Sequence, residues 1–131
     1  MKLYNINGRL QYKNVRKYLI DWDSKSRSKI QFEVKNFLKE YWKSHVVYEE
    51  FPVYGTRLKV DILNATKRIA VEVNNKFFHN NSRLNFLKSI KRDYAKSSWL
   101  ENNDFKLIEI EEHEVKILTP AFFLENFDVS L

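Results

Sequence analysis

The sequence predicts a mixed α/β domain (α+β, with a mixed sheet) in the order α-β-β-β-α-β, followed by a short closing helix. Three observations predict it. Residues 24–43 and 82–101 repeat apolar residues at the helical period, and residues 57–63 and 68–74 alternate apolar and polar. The two alternating runs are separated by four residues of turn character, as in a hairpin. With 131 residues, two glycines, two prolines and no repeat, the chain reads as one domain. It divides into a basic arm at 1–23, a core at 24–112 and a closing segment at 113–131.

In the arm, Asn5-Ile6-Asn7-Gly8 suits a tight turn, and Val15, Tyr18 and Leu19 suit one short helical face. The first long helix, 24–43, can be capped by Ser24 or Ser26. Its apolar face is Ile30, Val34, Phe37, Leu38 and Tyr41, with Lys29, Lys35, Lys39 and Lys43 expected outside it. Residues 45–53 read as a strand that Pro52 places at an edge or an end. After the turn at Tyr54-Gly55-Thr56, the run 57–63 sets Leu58, Val60 and Ile62 against Arg57, Lys59 and Asp61. After the turn at 64–67, the run 68–74 sets Ile69, Val71 and Val73 against Ala70, Glu72 and Asn74. The second long helix, 82–101, is expected to turn Phe86, Leu87, Ile90, Tyr94 and Ala95 to the core. A strand at 105–110 and a helix at 119–128, with Pro120 in its first turn, complete the chain. Trp22, Trp42 and Trp99 sit in apolar patterns and read as core.

Composition narrows the function classes. A chain that is 44% hydrophobic and 15% aromatic can fill a core. The absence of cysteine excludes disulfides, thiolate nucleophiles and cysteine-built zinc sites. No apolar run nears the roughly 20 residues that span a bilayer, and the first residues lack a signal peptide's apolar stretch. The expectation is a cytoplasmic protein without a membrane partner. The net charge of +6 is unevenly spread. Residues 1–43 carry 11 Lys/Arg against 4 Asp/Glu, residues 44–98 carry 10 against 5, and residues 99–131 carry 2 against 8. A basic body with an acidic tail points to a polyanion, of which nucleic acid is the usual one.

The chemistry centres on Asp61 and Glu72. They lie eleven residues apart on adjacent strands of one hairpin, so strand alternation lets both carboxylates face one side of the sheet. Two carboxylates in a half-buried site repel each other. A hard divalent cation relieves the repulsion, and Mg²⁺ favours one or two carboxylates completed by water and phosphate oxygens.

The segments "VDI" and "IAVEVN", set between two helices, resemble the core of the PD-(D/E)XK nuclease superfamily. The resemblance spans residues 24–112. More narrowly, "SRSKIQFEVKNFLKEYW" and "VVYEEFPVYGTRLKVDI" are similar to phage-encoded very-short-patch-repair-like and homing endonucleases. The resemblance implies a metal-dependent hydrolase of double-stranded DNA, in the cytoplasm of a host cell if phage-encoded. Mg²⁺ or Mn²⁺ is the implied cofactor, and no small-molecule cofactor is expected. A homodimer is a plausible assembly, since two protomers can cut two strands. A Holliday-junction resolvase on the same fold, or an inactive nucleic-acid-binding module, is the alternative.

Carried over residue by residue, the resemblance makes Asp61, Glu72 and the backbone carbonyl of Val73 metal ligands. Asn74 stands at the position of the motif lysine, a departure from the pattern, and Lys91 and Lys96 on the following helix are candidate replacements. Gln31 and Glu33 are the candidate site residues of the first helix. Glu50 is a further candidate ligand. His79 is placed where related nucleases carry a general base or a phosphate contact. Lys25, Arg27, Lys29, Arg83, Lys88 and Arg92 are expected to meet DNA phosphates.

Overall fold

The computed structural model describes residues 1–74 and 83–131, for 83–86 the backbone alone. It is a mixed α/β fold with a four-stranded mixed sheet, a two-stranded sheet and helices. Strands β1 (Lys2–Tyr4) and β2 (Leu10–Tyr12) form an antiparallel hairpin. Then come helix α1 (Lys29–Trp42) and strands β3 (Val47–Pro52), β4 (Lys59–Asn64) and β5 (Ile69–Asn74). Helix α2 (Arg83–Asn102), strand β6 (Lys106–Glu111) and helix α3 (Pro120–Phe127) follow. The sheet order is β3-β4-β5-β6. The first three strands are antiparallel, and β6, which follows α2 in the chain, lies parallel to β5.

Both faces of the sheet are covered. On one, Val34, Leu38 and Trp42 of α1 and Phe123 of α3 pack with Val47, Ile62, Val71, Ile108 and Ile110. On the other, Trp99 and Leu100 of α2 and Leu3 of the hairpin pack with Tyr48, Phe51, Leu63 and Ala70. Trp42 and Trp99 are core residues, as their patterns implied, and Trp22 packs partly buried on the α1 face. The arm lies on the body. Trp99 Nε1 donates to the Tyr4 carbonyl at 2.7 Å, and the Tyr4 amide donates to Asn103 Oδ1 at 2.8 Å. Its turn uses Gly8 at φ +80°, a conformation glycine adopts without strain. Among the described residues no helix is long and apolar enough to cross a membrane.

Four expectations change. Helix α1 starts later than residue 24, and its cap is Ser28, whose side chain accepts from the Gln31 amide. Ser24 and Ser26 are instead held in the network described below.

Lys35, expected in solvent, is 0% exposed. It lies four residues after Gln31, on the same helix face, and that face meets a glutamate on β3 rather than water.

The clean alternation of β4 is interrupted. Val60 and Leu63, three residues apart, share one core, and Ile62 belongs to the other. Strict alternation forbids two residues three apart on one face. On β3 the same spacing recurs at Tyr48 and Phe51. The β3–β4 ladder pairs Glu49 with Ile62 and Phe51 with Val60, skipping Glu50 and Asp61. Glu50 takes φ +53° there. Both strands are therefore kinked at facing residues, and one of these is Asp61.

Helix α2 does not bury Leu87, Ile90 and Tyr94, which are 52%, 49% and 73% exposed. It faces the sheet with Lys96, Trp99 and Leu100, a stripe that continues to Asn103 at i, i+3, i+4 and i+7. A long helix can present more than one candidate inward face, and here the one carrying Trp99 and Leu100 takes the core.

Candidate metal and nucleic-acid site

The kink decides where Asp61 points. Pairing of β4 with β5 ends at Ile62 and Val71, so the Val73 amide has no partner on β4. It donates instead to Asp61 Oδ2 at 2.9 Å. The carboxylate is thereby held against Glu72, itself 8% exposed on the neighbouring strand.

The two carboxylates lie close enough for each to disfavour the other's charge. Burial raises the Asp61 pKa first, and the Glu72 charge raises it further; it reaches about 8, against an ordinary 3.8. Without a cation, the pair therefore resists carrying two charges at neutral pH. Lys96, coming from α2, donates to Glu72 Oε1 at 2.8 Å.

Asp61, Glu72, Val73, Asn74 and Lys96 line one cavity of about 480 Å³, and Gln31, at the start of α1, lines it too. Gln31 is oriented from behind. Its Nε2 donates to Glu49 Oε2 at 3.0 Å and to Glu50 Oε1 at 3.2 Å. Glu49 in turn accepts from Ser26 at 2.6 Å and from the Lys35 ammonium at 2.9 Å. The other two bonds of that ammonium go to the Ser24 carbonyl and hydroxyl, so all three of its donors are used.

The expected site residues separate into groups. Asp61, Glu72, Val73, Asn74, Lys96, Gln31 and Arg27 line the cavity. Glu50 does not line it; it holds Gln31 and lies 4.0 Å from Arg27. Glu33, Lys91, Lys88, Lys25 and Lys29 do not line it either; Glu33 is half-buried and the four lysines are exposed. Arg92 lines a second, adjoining cavity. His79 and the Arg83 side chain lie outside the described residues. His45 is half-buried, with its Nδ1 3.1 Å from Asn64 Nδ2.

Glu109 was missed. It pairs in register with Glu72 across β5 and β6 and lines the same cavity, as does Asp93. Burial raises its pKa, and the charges of Asp93 and Glu111 add to the effect. Its place between Ile108 and Ile110 was readable from alternation. Its neighbour was not, because parallel register is set by a crossover rather than by a turn.

Comparison of the chain with protein-family models, curated proteins and solved structures returned no match.

The donor set suits a hard cation. Among the described residues no three carboxylates or imidazoles form a ready-made metal cage. Mg²⁺ does not ask for one, since it keeps several waters and takes the rest from substrate phosphates. The Asp61–Glu72 pair, two mutually repelling carboxylates in one cavity, is the observation that supports a fit. A divalent cation can relieve that repulsion, and Val73 lines the same cavity.

Proposed function

We propose that this protein is a Mg²⁺- or Mn²⁺-dependent endonuclease with a PD-(D/E)XK core, hydrolysing phosphodiester bonds in double-stranded DNA. The observation that carries the reading is the approach of three groups in one cavity: Asp61, Glu72, and an ammonium reaching Glu72 from another element. Order and placement support it too, with a helix, a hairpin bearing both acids, then a helix and a parallel strand. Asp61 and Glu72 hold the cation, with the Val73 carbonyl. When bound, such an ion supplies a Lewis acid that polarises the phosphodiester and lowers the pKa of a water molecule.

The remaining roles belong to the chain. Asn74, which lines the cavity, can orient a water molecule by hydrogen bonding but brings no charge. Lys96 supplies the charge that the motif lysine would bring, from helix α2 instead of β5. Gln31, locked by Glu49 and Glu50, presents a polar edge to the cavity. Negative charge builds on the phosphate in the transition state, and a fixed ammonium stabilises it. Asn74 alone favours the inactive binding module; Lys96 is the reason to prefer the enzyme. A homodimer is the assembly that would cut both strands.

Lys96→Met is expected to lower single-turnover cleavage by about 10²-fold while changing duplex affinity less than about threefold. Lys91→Ala, at an exposed position away from the cavity, is expected to leave turnover near wild type. Equal effects of the two, or none from Lys96, would remove Lys96 from the chemistry. A four-way junction run beside linear duplex separates the resolvase alternative, which predicts a clear preference for the junction.

Duplex binding should also weaken steeply between low and moderate salt, because each phosphate contact releases counterions. A salt-independent affinity would count against the basic surface as the binding face.

A further inference from the structure

Beside the carboxylate cavity lies a second one, of about 300 Å³, lined by Arg27, Arg57, Lys59, Arg92 and Lys96, with Asp93 as its acidic member. We propose that it binds an internal phosphate of the nucleic-acid strand, next to the phosphate that a cation on Asp61 and Glu72 would hold. The proposal rests on the nuclease reading and adds to it a defined contact for a flanking phosphate.

Five cations against one carboxylate is a steep imbalance for so small a space. They come from three separate parts of the chain: the segment before α1, the start of β4, and α2. No run of basic residues produces the cluster; the fold collects it. Leading into β4, Leu58 packs against the core and Val60 is buried in it, while Arg57 and Lys59 are exposed. On α2, Arg92 and Lys96 are four residues apart and share a face.

Like charges brought together destabilise one another unless an anion sits among them. No described carboxylate lies within ion-pair distance of Arg57, Lys59 or Arg92. Arg27 has only Glu50 at 4.0 Å, with a side chain 75% exposed and free to turn. The planar guanidinium fork matches phosphate oxygens in pairs, and three of the five cations are arginine.

Position identifies which phosphate. Arg27, Asp93 and Lys96 line both cavities, so an anion in the second lies beside the carboxylate pair. A nucleic-acid strand presents phosphates at regular spacing. With one on a cation at Asp61 and Glu72, its neighbour along the strand falls to the arginines. Free inorganic phosphate shares this chemistry but has no reason to need the adjoining site.

The test measures duplex binding in EDTA, where no cleavage occurs. Its outcome is therefore separate from that of the nuclease reading, which is read from Mg²⁺-dependent cutting. Arg57→Gln with Arg92→Gln should weaken binding about tenfold at 0.15 M salt and lower the salt slope by about one. Lys43→Gln with Lys106→Gln, also exposed but outside both cavities, should change neither.

A single neutral methylphosphonate linkage is then walked along one strand. At one position it should weaken wild-type binding, and at that position the arginine double variant should lose nothing more. Wild-type affinity in the double variant overturns the proposal, as does a linkage effect that the variant retains in full. If inorganic phosphate raises the melting temperature of wild type but not of the variant, while duplex binding is equal in both, the cavity is a free-anion site and the proposal fails.

Discussion

Asp61→Asn is expected to stabilise the protein at pH 8 in EDTA and to abolish its activity. The two effects have one cause. The Asp61 pKa stands near 8 in the fold against an ordinary 3.8, so the folded state binds this proton more tightly than the unfolded chain does. Stability from that proton is complete below about pH 4, declines as pH rises toward 8, and is lost above it. Above pH 8 the wild type carries two buried charges in contact. Asparagine keeps the acceptor for the Val73 amide and carries no charge beside Glu72. The variant should therefore gain on the order of a few kcal/mol at pH 8 and almost nothing at pH 4. In melting temperature that is roughly 5 °C or more at pH 8. Saturating Mg²⁺ should raise the wild-type melting temperature at pH 8 and leave the variant unmoved, and cleavage should fall by at least about 10²–10³-fold. Identical melting curves of the two proteins at both pH values would mean that the carboxylates do not confront each other.

Glu49→Ala is expected to be among the most damaging single substitutions. Lys35 is wholly buried, and Glu49 is the carboxylate that balances it, at 2.9 Å. Removing one member of a buried pair strands the other charge, at about 3–5 kcal/mol. The loss extends beyond the pair, because Glu49 also holds Ser26 and Gln31. The segment carrying Arg27 and the α1 residue that lines the cavity are thus released together. Urea unfolding measures the stability loss directly. Lys35→Met combined with Glu49→Gln should recover more than half of it, since no charge is then buried and glutamine still accepts from Ser26 and Gln31. A double variant as unstable as Glu49→Ala would mean that packing, not charge, is what the network provides.

The elements of the fold were legible where periodicity is strong. Alternation at 68–74 and the apolar stripe of α1 located β5 and the helix within a residue or two of their ends, save the start of α1. The juxtaposition of Asp61 and Glu72 was legible because a short hairpin leaves little freedom of register. Other features lay outside what a pattern can carry. The kink at Glu50 and Asp61 has no glycine or proline to mark it, and it is what turns Asp61 out of the ladder. Burial of Lys35 depends on Glu49, fourteen residues away on another element, and a lysine on a helix gives no sign of its partner. The inward face of α2 was misread because Leu87, Ile90 and Tyr94 make an apolar stripe as convincing as the true one. Lys96 was named on the sequence by its helix, alongside Lys91, but its bond to Glu72 is a tertiary fact. The cluster around Arg57 and Arg92 was invisible for the same reason, being assembled from three segments.

The most direct measurement is conversion of supercoiled plasmid by the wild type in Mg²⁺, by the wild type in EDTA, and by Asp61→Asn and Glu72→Gln in Mg²⁺. The account predicts nicked or linear product in the first reaction alone, with both variants retaining duplex binding in EDTA. Intact plasmid in every reaction, or equal cutting with EDTA or by either variant, would contradict a metal-dependent nuclease built on Asp61 and Glu72.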